Sequence, residues 1–155
     1  MKQEKFKMRK GKPEDTEQVI ELIKDLAEFE KATREVVNTP EKMRREFDLF
    51  RLLVVENEKK HIIAFALYYP VYYTWKGKSM YIDDIYVKEA YRNQGIGTML
   101  LEKIMTEAIL EGMNRLRWQV LEWNTPAIEF YRKYGVHFDN KWINCDWYPP
   151  QKIPQ

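Results

Sequence analysis

Hydrophobic and polar positions change period several times along the chain, and each change marks an element. Lys5 to Lys10 alternates, which predicts a short strand. Lys12-Pro13-Glu14-Asp15 then opens a helix, with Asp15 and Gln18 spaced as a capping box. Val19, Ile20, Leu22, Ile23, Leu26 and Ala27 form its apolar stripe, which carries it to Glu30. Thr39-Pro40 supplies a cap and a first-turn proline for a shorter helix over "EKMRREF".

From Arg51 the period becomes that of strands. "RLLVVEN" and "HIIAFALYYPVYY" are β-branched and aromatic runs joined by the charged turn Glu56 to Lys60, a hairpin signature. Lys76-Gly77-Lys78 turns the chain into a third strand, "SMYIDDIYV", while Pro70 inside the second run implies a bulge or an edge position. Helical spacing returns at Ile96, Met99, Leu100, Ile104 and Ala108 and stops at Gly112. "RLRWQVLEW" reads as a strand. Thr125-Pro126 starts a helix carrying Ala127, Phe130, Tyr131 and Tyr134, which Gly135 ends, and His137 to Tyr148 reads as a last strand. The order β, α, α, β-β-β, α, β, α, β predicts an α/β (α+β) fold with a mixed sheet and helices packed against it.

Composition changes this picture little. The 155 residues fit one domain spanning 1–155, and 26 basic against 24 acidic residues leave a net charge of +2. That balance argues against a general nucleic-acid or membrane surface. The N-terminal stretch is too charged for a signal peptide, and the longest apolar run, Ile62 to Tyr69, is far short of the roughly 20 residues a bilayer requires. One cysteine, Cys145, fits a reducing compartment, so a cytoplasmic location is expected. His61 and His137 have no ligand partners at a recognisable spacing, so no metal is expected. Ser79, the only serine, and Cys145 lack the local signature of a nucleophile.

The most chemical stretch is "DDIYVKEAYRNQGIGTML". Arg92-x-x-Gly95-x-Gly97 follows a strand and opens a helix, where free amides and the helix dipole attract an anion and glycine lets a phosphate approach. It lacks the lysine of a Walker A loop and the spacing of a Rossmann fingerprint, so on its own it reads equally as a tight strand-to-helix turn. Asp83 and Asp84 adjoin on a strand, where alternation would send them to opposite faces and leave at most one at a reaction centre. Tyr131 lies in an apolar stripe, which suits a core aromatic as well as a hydroxyl at work.

The succession of strand, glycine turn, long helix, strand, and Asn124 ahead of a tyrosine-bearing helix resembles the GNAT acetyltransferases. The resemblance implies a mixed, mostly antiparallel, twisted sheet flanked by helices, with acetyl-CoA as cosubstrate. Arg92, Asn93, Gln94, Gly95, Ile96, Gly97 and Thr98 would then hold its pyrophosphate. Ile85, Tyr86 and Val87 would offer main-chain groups to the acetyl and pantetheine portion. "LIKDLAEFE", "FALYYPVYYTWKGKSMYIDDIYV", "YRNQGIG" and "LEWNTPAIEFYRKYG" together are similar to the diamine (spermidine/spermine) N-acetyltransferase branch. By that resemblance Phe29, Glu30, Asp83, Trp118 and Gln119 contact substrate. Asn124, Thr125, Pro126 and Ala127 touch coenzyme, Tyr131 is both a coenzyme contact and the catalytic acid, and Asp83 is the carboxylate that attracts the ammonium and takes its proton, directly or through water. Phe29 replaces the tyrosine usual in the polyamine enzymes and Asp83 their glutamate, which opens the way to other primary amines, including small diamines or lysine-like compounds; a related enzyme acting on lysine-like amino acids or a protein amine is the alternative within the class. A catalytically silent CoA-binding module is the rival of another class. The branch commonly forms homodimers, to which the tail "WINCDWYPP" would contribute; its burial within the monomer is equally consistent.

Overall fold

The computed structural model describes residues 3–150; residues 1–2 and 151–155 of the expected domain lie outside it. Two compact units divide the chain, Met1–Gln119 and Val120–Gln155.

The first unit is a five-stranded sheet in the order β1 (Lys7–Lys10), β2 (Arg51–Glu56), β3 (Ile62–Tyr73), β4 (Gly77–Val87), β5 (Leu116–Arg117). All neighbours are antiparallel except β4 and β5, which run parallel. Between β1 and β2 come α1 (Thr16–Phe29) and the short α2 (Pro40–Arg45); α3 (Ile96–Leu110) returns the chain from β4 to β5. Leu52, Leu53, Val54 and Val55 are all buried, the mark of a strand covered on both faces. Val19, Ile20 and Leu22 of α1 and Met43 of α2 pack on Leu52, Val54, Phe65 and Tyr86 on one face. On α3 the buried side chains are Ile96, Leu100, Leu101, Ile104 and Ala108. Tyr68, buried on β3, donates its hydroxyl to Glu107 of α3 (2.6 Å), while Arg51 of β2 forks onto Glu111, so polar pairs tie helix to sheet.

The helix ends are set locally. Thr39 caps α2 as expected, its hydroxyl accepting from the Lys42 amide. The expected capping box of Asp15 and Gln18 does not form. Asp15 instead accepts from both terminal nitrogens of Arg9 and from the Lys12 amide, and Gln18 accepts from the Ile62 amide at the start of β3, 2.9 Å away. Tertiary partners of higher charge or deeper burial outcompeted the local ones. At its other end α1 closes in a Schellman turn, Ala32 N–H bonding the Ala27 carbonyl and Lys31 N–H the Glu28 carbonyl, with Lys31 in the left-handed region (φ 60°). Pro70 occupies an edge position: β2 pairs with β3 only as far as Tyr68, so beyond that point the missing N–H costs no ladder bond.

The second unit holds α4 (Thr125–Arg132), begun by Asn124, whose side chain accepts from the Ala127 amide. Two strand expectations fail. Of "RLRWQVLEW" only Leu116–Arg117 is paired, and His137 to Tyr148 contains no strand. The tail residues from His137 onward are exposed, Trp142, Ile143 and Trp147 among them. Strand propensity expresses packing against neighbours, and without a partner ladder it specifies nothing.

Candidate active site

Two groups of side chains meet on the first unit, and β4 contributes to both. The first depends on an irregularity in pairing. Along β3 and β4, Leu67 faces Asp84 but Tyr68 faces Ile82, leaving Asp83 as an extra residue in β4. Such a β-bulge breaks alternation and re-aims side chains. The two aspartates are therefore not on opposite faces, as alternation requires; their carboxyls hydrogen-bond to each other. Burial above all, then the charges of Asp83 and Glu30 and the bond to Asp83, push the Asp84 carboxyl up to about 8. Asp83, with its side chain open to solvent on one side, is raised by desolvation on the other and drawn back down by accepting that bond. A proton shared between two carboxyls is the arrangement this describes.

Glu30, the residue at the Schellman turn of α1, is raised by burial and by the charge of Asp83, which puts the end of α1 at the same place. Tyr69 and Tyr81 pair across β3 and β4 with ring centres 5.8 Å apart, and both hydroxyls are raised by burial and by Asp83, Tyr69 to about 12. Beyond them Arg115 and Arg117 lie over the ring of Tyr73, at 4.2 and 5.6 Å. Carboxyls, phenols and guanidiniums thus follow one another along one stretch of sheet. Sequence reasoning named Glu30 and Asp83 for this place, set Asp84 on the opposite face, and missed Tyr69 and Tyr81.

The second group surrounds the glycine turn. Pairing between β4 and β5 ends at Tyr81 and Arg117, so among the described residues no strand covers that edge of β4 over Asp83, Ile85, Tyr86 and Val87. Its main-chain groups there can meet a ligand. The chain leaves β4 through Lys88, whose amide bonds the Ile63 carbonyl, and Tyr91, whose hydroxyl accepts from Asn57. Arg92 turns back, its Nε donating to the Val87 carbonyl at 2.9 Å and its guanidinium lying 5.6 Å from the ring centres of both Phe29 and Tyr86. Asn93 and Gly95 both take positive φ, 64° and 79°, and Gly95 begins α3 without any side-chain cap. The first amides of a helix have no intrahelical acceptors. Here Ile96, Gly97 and Thr98 carry them, and nothing within 4 Å crowds Gly95 where a side chain would stand. That uncapped, open turn suits a diphosphate.

Phe29 therefore sits against Arg92, while Glu30, its neighbour, faces the acids. Trp118 and Gln119 follow directly on β5, Trp118 half-buried and Gln119 exposed. Asn124, Thr125, Pro126, Ala127 and Tyr131 belong to the second unit; there Tyr131 is half-buried on α4, 5.4 Å from the ring of Phe130. A shallow depression lined by Lys24, Asp25, Glu28, Thr33 and Val36 shares no residue with either group. Among the described residues no cluster of three His, Cys, Asp or Glu could hold a metal ion, and no helix is long and apolar enough to cross a membrane.

The first unit thus carries an open sheet edge that leads into an uncapped glycine turn, with a group of acids beside it. The chain belongs to the acetyltransferase (GNAT) family, whose model matches residues 17–136. It is an acetyl-CoA-dependent N-acetyltransferase. It is 34% identical over 141 residues to thialysine N-epsilon-acetyltransferase of Mus musculus, covering 84% of this chain and 83% of that protein. It is 31% identical to spermidine/spermine N(1)-acetyltransferase-like protein 1 of Homo sapiens, over 84% of this chain but 20% of that protein. The fold matches that of an aminoglycoside acetyltransferase from an uncultured soil metagenomic sample, with TM-score 0.74 and 22% identity over 93% of this chain and 99% of that one.

Proposed function

We propose that the chain acetylates the terminal primary amine of a small alkylamine, a diamine, polyamine or lysine-like amino acid, by direct transfer in a ternary complex. The observation that carries this reading is the carboxyl pair gathered by the β4 bulge. An alkylammonium near pKa 10 is charged at neutral pH and must lose a proton before it can attack. Asp83 and Asp84, with Glu30 and the tyrosine rings of Tyr69 and Tyr81 beside them, attract the cation. A carboxyl pushed toward neutrality is a better proton acceptor than an ordinary one. The neutral amine then forms its C–N bond to the thioester carbonyl as the C–S bond breaks, and the departing thiolate takes a proton, which in this reading Tyr131 donates.

Acetyl-CoA supplies the activated acyl group. Main-chain groups of Ile85, Tyr86 and Val87 would hold its pantetheine, the turn from Arg92 through Asn93, Gln94, Gly95, Ile96 and Gly97 to Thr98 its diphosphate, and Asn124, Thr125, Pro126 and Ala127 its remaining contacts. Continuity of the family match through Gln119 and Val120 supports one catalytic domain spanning both compact units. The reading extends to a cytoplasmic homodimer, supported by the free, exposed thiol of Cys145 and the exposed aromatic tail. The test is CoA thiol release from acetyl-CoA across putrescine, spermidine, spermine, lysine, thialysine and a lysine peptide. Acetyl-CoA binding without thiol release from any amine would make the chain a silent coenzyme-binding module instead.

A further inference from the structure

The arginines at the far end of the same stretch of sheet are unused by the reading above. Among the described residues the arginine ion pairs are those of Arg9, Arg44, Arg51 and Arg132; neither Arg115 nor Arg117 makes one. Nε of Arg115 is buried with no hydrogen-bond partner. Both guanidiniums lie over Tyr73, and Arg117 is the register partner of Tyr81, whose ring lies beside that of Tyr69. Two half-buried cations with no anion of their own, stacked on one ring, form the setting in which a planar anion is bound by a fork of N–H donors.

From the geometry we infer that Arg117, assisted by Arg115, binds the α-carboxylate of an amino-acid substrate whose terminal ammonium rests on the Asp83 and Asp84 carboxyls. The main chain of Arg117 is one strand across and two residues along β4 from that of Asp83, a backbone separation of about 8 Å that the two side chains can adjust. Extended lysine places its ammonium about 7 to 8 Å from its carboxylate carbon, at bond lengths of about 1.5 Å. The same arginines repel the second ammonium of a diamine or polyamine, so one feature both attracts the zwitterion and rejects the dication. This inference rests on the acetyltransferase reading and selects one substrate class within it.

The experiment compares lysine, lysine methyl ester and cadaverine, which present the same terminal amine with the carboxylate charged, masked and absent. Ornithine and putrescine repeat the comparison one methylene shorter. Wild-type kcat/KM should favour lysine over both the ester and cadaverine by about 10-fold or more, since a hydrogen bond to a charged group is worth that much. In Arg117→Met the lysine KM should rise about 10- to 100-fold, with cadaverine unchanged or improved and kcat for lysine largely kept. Arg117→Lys, which keeps the long stem over Tyr73 and a positive charge, should recover part of the lysine preference. If the wild type uses ester and cadaverine as well as lysine, or Arg117→Met slows all amines alike, the carboxylate subsite is refuted while acetyl transfer stands. A wild type that consumes none of these amines, though it releases thiol with spermidine or a lysine peptide, refutes the subsite; one that consumes no amine at all sinks the alkylamine reading and the subsite with it. The ester arm needs no mutation, so poor folding of a variant leaves the inference open to refutation.

Discussion

Replacing Asp84 by asparagine should make the protein more stable and far less active, and the two effects have one cause. Asp84 is half-buried at the β4 bulge, and its carboxyl is raised from 3.8 to about 8 by burial, by the charges of Asp83 and Glu30, and by its bond to Asp83. The folded chain therefore holds this proton more tightly than the unfolded chain does. Its contribution to stability is full below the unfolded value near 4 and is lost as pH rises through 8, the reverse of an ion-paired acid. At 1.36 kcal/mol per pH step the loss would approach roughly 6 kcal/mol. Solvent reaches Asp83, and screening reduces this to about 2 kcal/mol. An asparagine at this position cannot ionise, yet its amide still donates to Asp83. The variant should gain on the wild type from pH 4 to 8, and the gain should level off above that. For a chain of this length it amounts to about 4–8 °C in Tm. Activity should fall about 10²- to 10⁴-fold, the usual worth of a proton acceptor, and the wild-type rise of kcat/KM through pH 8 should disappear. Thermal unfolding from pH 5 to 9 and thiol release over the same range measure both. A stability difference that does not grow with pH would refute the buried-acid argument. A kcat/KM within about threefold of wild type would remove the pair from proton transfer.

Gly97→Asp should lower coenzyme affinity by tenfold or more while leaving Tm unchanged or raised, because an acid in the first turn of α3 repels a diphosphate but favours the helix dipole; equal affinity by calorimetry with desulfo-CoA would count against the phosphate turn. Phe29→Leu should weaken coenzyme binding about two- to fivefold, since the ring lies against Arg92, which is bonded to the Val87 carbonyl, and Phe29→Tyr should restore it. A rise in amine KM alone would return Phe29 to the amine side. Tyr131→Phe should lower turnover by about 10²-fold with coenzyme binding intact; undiminished kcat would exclude its hydroxyl from the chemistry.

How much of this was legible in the chain differs between the two groups of residues. The glycine turn declares itself because its chemistry is written into local backbone rules: Asn93 and Gly95 take the positive φ that few other residue types adopt readily, and the apolar stripe of α3 starts one residue later. The sheet of the first unit was equally open to reading, since β2, β3 and β4 carry strand composition over lengths that only a meander satisfies. The tail failed for the converse reason. His137 to Tyr148 has strand-forming residues but no strand pairs with it, and pairing is not a property of one segment.

The carboxyl pair was missed by a rule applied one residue too far. Alternation separates Asp83 from Asp84 only if the pairing with β3 is regular, and that depends on a strand ten or more positions away in sequence. A local trace of the bulge nevertheless exists. Ile82 pairs with Tyr68 and Ile85 with Ala66, two positions that share a face of β3, so the two isoleucines share a face of β4 although they stand three positions apart. In a strand of period two, like residues meant for one face stand two or four apart. An apolar spacing of three inside a strand, filled by two acids, is therefore a sign of an inserted residue that the chain itself carries. The insertion costs a ladder position and places two carboxyls side by side, Asp84 half-buried, so that both cannot ionise freely, each unfavourable for the fold by itself. An arrangement that weakens the sheet where it concentrates proton-binding groups is what a site for discharging an ammonium requires. The bulge, more than either aspartate alone, is thus the feature on which the proposed amine chemistry turns.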